Sequence, residues 1–393
     1  MADAARIGVF LAASPANLGV LLESTMTIQP SVDVFVLGPP SESSEDMDGV
    51  NWPVAPKVIR TGVGKLADFA GTPWAERLAE GEGELVALAC DDRIESIRAA
   101  AVLALFMANG PDVAARLMID PVDSWKESID LTKYPSVGIN VLLAPRAAHG
   151  PIVFRRNKLK EIGGLRPVIE PVWDWLIRVA RKGERIGSTE IDLDLRSTTC
   201  RLPLLAPSRP GKESDWLLGH LHDFSPKEFG MVPDSAVSET ALRAGLFLWH
   251  DYLDESHRLS QSIEGEGEDQ LGDYWHALMH RREPDYSNAK YWFRQIGQQQ
   301  TFRSLRKFAD ETLANLEDPG AGRWRDRLQP GAKWDPFAFV DLCEECAADE
   351  ESELALAARR IQYFEMSLLM RMTASRMRGG DSASSIALAA KRA

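Results

Sequence analysis

The chain has 393 residues, with 45 Lys and Arg against 58 Asp and Glu, and a formal net charge of −13. That acidic balance argues against broad binding to nucleic acid or to an anionic membrane surface. No apolar run approaches the ~18 residues of a membrane-spanning helix, and the N-terminus lacks a basic signal-peptide start, so the expectation is a cytoplasmic protein without membrane insertion.

In chain order, Arg6–Ala13 reads as a first strand, Ala16–Thr27 as a helix, Val32–Leu37 as a second strand and Lys57–Arg60 as a third. A helix covers about Pro73–Glu80, and Leu85–Ala89 follows as a short apolar run of the kind buried at the centre of a parallel sheet. This alternation predicts a nucleotide-binding α/β sheet. Just past the apolar strand stand Asp91 and Asp92. Ligands of α/β sheets gather beyond the carboxyl ends of their strands, where two adjacent carboxylates can hold a divalent cation and, through it, a diphosphate. The competing explanation is that they cap the helix beginning near Ile94. The apolar stretch Ala99–Ala108 reads as a buried helix.

Four segments in this order resemble the family 2 glycosyltransferases, which have the GT-A fold. Leu22–Gln29 looks like that family's first helix, and Gly81–Leu85 with Asp91-Asp92-Arg93-Ile94 looks like its metal-binding strand and loop. Gly150–Arg156 running into Leu159–Leu165 is similar to its strand, helix and Gly-Gly turn, and Asp174–Gly183 resembles the helix after its catalytic carboxylate. The resemblance covers about residues 5–200. It implies a GT-A-like mixed sheet flanked by helices, a nucleotide-sugar donor, an acceptor hydroxyl, and Mg²⁺ or Mn²⁺ at Asp91 and Asp92 to neutralise the leaving diphosphate. Asp174 or Glu170 would be the general base, and Arg155 and Arg156 would reach the diphosphate.

The chain also departs from that pattern. Leu37–Ser41 has no acid where the family reads its base, Ala89 stands at the first metal-binding Asp, and Glu170-Pro171-Val172-Trp173 precedes Asp174. A salt bridge to Arg178, four residues on, is an equal explanation for Asp174, and alternating exposure along a strand accounts for at least one of the two arginines. A silent sugar-nucleotide-binding domain is therefore a second expectation.

Residues 1–202 form the expected GT-A-like domain, and the proline-rich stretch 203–234 a linker. Residues 235–378 are the expected helical domain, and 379–393 a flexible tail. Cys343 and Cys346 make a lone Cys-x-x-Cys without the second pair that a structural zinc site needs.

The helical domain concentrates four of the seven histidines, His250, His257, His276 and His280. The first two are seven apart and the last two four apart, so each pair shares a helix face. A helical hairpin would bring all four together with Glu264 or Glu283 as a metal or acid–base site, such as that of a metal-dependent hydrolase. The competing explanation is an aromatic core, supplied by Tyr274, Trp275, Tyr291, Trp292 and Phe293, with histidines bonded at its edge. Tyr274-Trp275-His276, the run Arg281–Asp285 and the later Trp334–Asp341 are similar to an uncharacterised bacterial helical family, a resemblance that carries no activity. Glu351–Arg378 shows an apolar stripe for packing or for homo-oligomer formation.

Overall fold

Short apolar runs can pair as strands only where both faces are covered, and the run at 85–88 meets that condition with all four residues buried. The computed structural model describes residues 32–36, 56–60, 78–80, 83–89, 113–118, 137–143, 152–184, 186–191, 202–267 and 269–379. The expected strand 6–13, helix 16–27, most of the helix 73–80, Asp91, Asp92, the segment 94–108 and the tail beyond 379 lie outside them.

Six strands form one mixed sheet: β1 (Val32–Val36), β2 (Pro56–Arg60), β3 (Leu85–Ala89), β4 (Val113–Met118), β5 (Ile152–Arg155) and β6 (Ile186–Ile191), in the order β2-β1-β3-β5-β4-β6. Val34 pairs with Val58 on one side and Ala87 on the other, both in parallel. β5 runs against both neighbours, with Phe154 opposite Val86 and Val113. Pro56 opens the edge strand β2, a position where its missing N–H costs little.

From β5 the chain turns through Arg156 and Asn157 into α2 (Lys158–Ile162) and then α3 (Pro171–Arg181); α1 (Val137–Leu143) packs against α3. Trp175 is fully buried on Phe154, with ring centres 4.7 Å apart. The last carbonyls of α1 have no partner within their own helix. Three donors from elsewhere satisfy them: Trp173 Nε1 on Val141 at 2.7 Å, His250 Nε2 on Leu142 at 2.8 Å, and Trp249 Nε1 on Leu143 at 3.1 Å. Two of those donors belong to the helical half, so a helix end of the α/β half is completed by the other half.

The proline-rich stretch expected as a linker is folded. It contains α4 (Asp215–His222) and β7 (Met231–Pro233), which pairs with β8 (Met377–Gly379), and it buries Leu217, Leu221, Phe224 and Phe229. Its backbone is tied to the helical half, with Arg359 on the carbonyls of Leu202 and Pro203, Gln362 on that of Leu204, and Glu350 accepting from the N–H groups of Leu205 and Ala206.

The helical half comprises α5 (Ala236–Trp249), α6 (Leu253–Ser262), α7 (Leu271–Arg282), α8 (Tyr286–Ile296), α9 (Thr301–Ala314), α10 (Ala321–Leu328), α11 (Pro336–Cys346) and α12 (Glu353–Ala374). Ser235, Asp285, Asp335 and Ser352 accept hydrogen bonds from first-turn N–H groups and so set four of the helix starts. The apolar stripe of α12 is buried within the fold, as are the charged residues Arg359 and Glu365. That stripe therefore packs largely internally. No helix among the described residues is long and apolar enough to cross a membrane.

Every residue of α7 is buried. It approaches α5 closely at Gly245, where an added Cβ would lie 2.6 Å from the Trp275 ring. That ring is fixed by its own bond from Nε1 to Thr373 Oγ1, 2.9 Å. Gly245→Ala should therefore destabilise the protein by about 1–3 kcal/mol through overpacking, although alanine is the better helix former by roughly 1 kcal/mol. Chemical denaturation measures the sign, and an increase in stability would refute the close contact.

Candidate metal centre

The α/β half places its candidate residues apart from one another. Arg156 is buried, paired with Asp33 at 2.5 Å, and donates to the carbonyls of Gly83 and Leu78. Burial lowers its pKa and Asp33 opposes the shift. It braces β1 against the turn before β3, a structural role in place of the expected diphosphate contact. Arg155, on the strand's more open side, pairs with Glu84.

Asp174 is 1 % exposed and bonded to His220 Nε2 at 2.9 Å and Arg178 Nε at 3.0 Å, with Arg166 at 3.6 Å. Burial resists its ionisation, but the His220 bond and the two arginines outweigh that, and the carboxyl titrates below its usual value. The expected Arg178 bridge is present, buried instead of exposed. An acid so low in basicity and so enclosed is poorly placed to take a proton from an acceptor. Glu170, at the N-cap of α3, is exposed.

The four histidines divide three to one. His257 on α6 and His276 and His280 on α7 converge, with ring centres 4.7–4.9 Å apart. One nitrogen from each lies within 4.8 Å of the other two. His250 is excluded because its Nε2–H caps α1 and its ring packs on Trp173. Glu264 is also excluded: it is exposed and acts electrostatically on Asp273. Glu283 is at the cluster, its Oε2 3.3 Å from His280 Nδ1.

Three further groups stand at the cluster: Asp285 and Asn288, which the sequence did not mark, and Trp292, which it placed in the aromatic core. Asp285 Oδ2 stands 4.0 Å from His280 Nδ1, Asn288 Nδ2 stands 3.1 Å from His280 Nε2, and Trp292 stacks on His276 at 4.1 Å. The available signal was local. Asp285 and Asn288 have the spacing of a helix start, with Asp285 accepting from the Asn288 N–H at 3.1 Å, and that start begins three residues after the end of the His276/His280 helix.

The environment of the cluster suits metal ligation. His276 is 1 % exposed and neither ring nitrogen has a hydrogen-bond partner. Burial first, then the neighbouring His280 and His257, push its pKa down to about 3. Burial and His257 push His280 down to about 4, with Asp285 opposing. Both rings are thus neutral at physiological pH, the form that binds a metal. Half-buried His257 and exposed Glu283 leave the cluster open to solvent on one side. Cys343 and Cys346 are buried on α11, with burial pushing both thiols up to about 12. This disfavours the thiolate that zinc or redox chemistry requires.

These shifts give a pH dependence of definite sign. Unfolded, both imidazoles protonate near 6.5, whereas folded they stay neutral down to about 4 and about 3. The unfolded chain binds more protons in that window, so stability is complete above about pH 6.5 and falls as the pH drops through the window. Thermal melts of chelator-treated protein should show this loss, and His276→Leu should flatten it; an identical acid profile in the variant would contradict the buried neutral ring.

No protein family, curated protein or solved structure matches this chain in the comparisons made.

Proposed function

We propose that the chemistry of this protein resides in the helical half, at a divalent transition-metal centre ligated by His257, His276 and His280 and acting as a hydrolase, with the sheet as its scaffold. The observation that carries this reading is the ring of His276, buried without a partner for either nitrogen while facing the imidazoles of His257 and His280. A buried polar group left unbonded costs about 1–3 kcal/mol, and a metal ion supplies the missing partner. Three protein ligands leave a fourth position for water, which zinc acidifies to a pKa of about 7 and so makes a nucleophile at neutral pH.

The test is metal content and metal response. Full-length protein should retain or take up Zn²⁺ or Co²⁺, and at 100 times the dissociation constant the ion should add about 2.7 kcal/mol of stability. His276→Leu should abolish that response while making the metal-free chain more stable by about 1–3 kcal/mol, because the unpartnered ring is gone. Wild-type protein with neither retained metal nor a thermal response would refute the centre.

Nucleotide-sugar transfer is the second reading. In its favour, β3 is a buried strand of a mixed sheet that ends at Ala89, and Cys90-Asp91-Asp92 follows it in sequence. Mg²⁺ or Mn²⁺ would bind at Asp91 and Asp92. With Asp174 enclosed by His220 and Arg178, the general base would fall to Glu170. A Mn²⁺-dependent thermal shift with one of a panel of nucleotide sugars, absent in Asp91→Ala, would favour this reading; no shift with any donor would refute it.

A further inference from the structure

A neutral imidazole that ligates an ion gives it the lone pair of one ring nitrogen. In His280 both nitrogens face the same group, because the side-chain nitrogen of Asn288 lies 3.1 Å from Nε2 and 3.5 Å from Nδ1. Whichever of the two carries the lone pair, the N–H groups of Asn288 are within reach of it. Two packed helices set this placement. Asn288 and Trp292 are one turn apart on α8, as His280 and His276 are on α7. The amide therefore lies on His280 while the indole stacks on His276 at 4.1 Å. Asn288 is itself fixed at the start of its helix by its backbone N–H on Asp285 Oδ1.

An ion at the three histidines changes what that amide can do. The ring nitrogen's lone pair passes to the metal, and the Asn288 N–H loses its acceptor. A donor left unpaired in a half-buried position is costly, and a new acceptor comes with the ion, the oxygen at its fourth position. In a tetrahedral centre with bonds of about 2.0–2.1 Å, neighbouring ligand atoms are about 3.3 Å apart. That oxygen thus stands about as far from the His280 nitrogen as the amide already does. Glu283 and Asp285 flank Nδ1 at 3.3 and 4.0 Å and only accept hydrogen bonds. A negatively charged oxygen on the ion needs its donor from elsewhere.

We propose that Asn288 is the hydrogen-bond donor for the oxygen held at the ion's fourth position, whether hydroxide or the carboxylate of a small acid. This rests on the metal reading above and adds to it the residue that recognises the bound oxygen. It holds for either ligating nitrogen of His280. A neutral donor fixed beside charge on oxygen is the kind of group that stabilises hydrolytic intermediates.

Full-length protein loaded with Co²⁺ and titrated with acetate tests this, because an oxygen ligand entering the coordination sphere changes the visible absorption of the ion. Wild type should bind acetate, and Asn288→Ala should bind it about 3- to 10-fold more weakly, the net worth of one hydrogen bond. Asn288→Asp, of the same size but without the N–H, should bind it more weakly still. Co²⁺ affinity, measured against a competing chelator, should be nearly unchanged in Asn288→Ala, since that variant lacks one hydrogen bond with the ion or without it. A structural role predicts a loss of ion affinity instead, and simple competition for the ring nitrogen predicts a gain. Failure of wild type to take up Co²⁺ would defeat the metal reading, and this proposal with it. Three outcomes would overturn this proposal alone: a loaded wild type that does not bind acetate, an Asn288→Ala variant that binds it as tightly, or an altered ion affinity in that variant.

Discussion

The helical half is organised around one constraint: α7 is buried along its whole length while carrying Asp, Tyr, His and Arg side chains. A helix in that position must find a partner inside the protein for each polar group. Glu365 of α12 serves two of them. It accepts from Arg281 Nη2 at 2.6 Å and from Tyr274 at 2.9 Å, and both members of the ion pair are fully buried. Such a pair contributes little net stability compared with apolar side chains, but breaking it by removing one partner is costly, about 3–5 kcal/mol. Its value here is geometric. Tyr274 and Arg281 are seven residues apart on one face of α7, so fixing both to a single carboxylate sets the rotation of the helix. The face that carries His276 and His280 is then turned towards α6 and His257.

The same accounting along α7 separates His276 from its neighbours. Trp275 bonds to Thr373, Arg282 to the carbonyl of Leu248 and to Asp251, Asp273 to the N–H of Gly265, and His280 to Asn288. His276 alone among the polar side chains of this helix has no hydrogen-bond partner among the described residues. Asp174 in the α/β half is the opposite case, since it too is buried but bonded to both His220 and Arg178. Two buried titratable groups thus have opposite meanings. The bonded one stabilises a junction, and the unbonded one is a buried ring with no partner among the described residues.

What could be read from the sequence follows from how far each interaction reaches along the chain. β1, β2 and β3 were legible because short apolar runs, from Val58-Ile59 in β2 to all five residues of β3, carry their own signal between polar neighbours. The pairing of His276 with His280 was legible because four residues make one helical turn. The fate of His250 was not, because its partner is the Leu142 carbonyl, 108 residues away, and nothing local marks α1 as a helix with an uncapped end. Glu365 and Arg359 looked like solvent-facing charges for the same reason: the Arg281 that neutralises Glu365 is 84 residues upstream. The helix start at Asp285 was visible as a local pattern, but only packing reveals that Asn288 faces His280.

The two candidate centres differ in a way that metal chemistry itself can resolve. Asp91 and Asp92 offer hard oxygen ligands, which suit Mg²⁺ and Mn²⁺ and leave affinity low unless substrate phosphates add further oxygens. The histidine cluster offers three imidazole nitrogens, which suit zinc, copper, nickel or iron and bind without help from a substrate. Charge balance points the same way. Three imidazoles leave the ion's two positive charges uncompensated among its ligands, and Glu283 and Asp285 stand immediately behind His280 to offset them. Under the alternative in which the cluster only packs, Asp285 still caps α8, but His276 keeps its burial cost without return. The unbonded ring and the low pKa values share one cause, burial, and a soft or borderline divalent ion at the centre of the three histidines would supply the partner that the ring lacks.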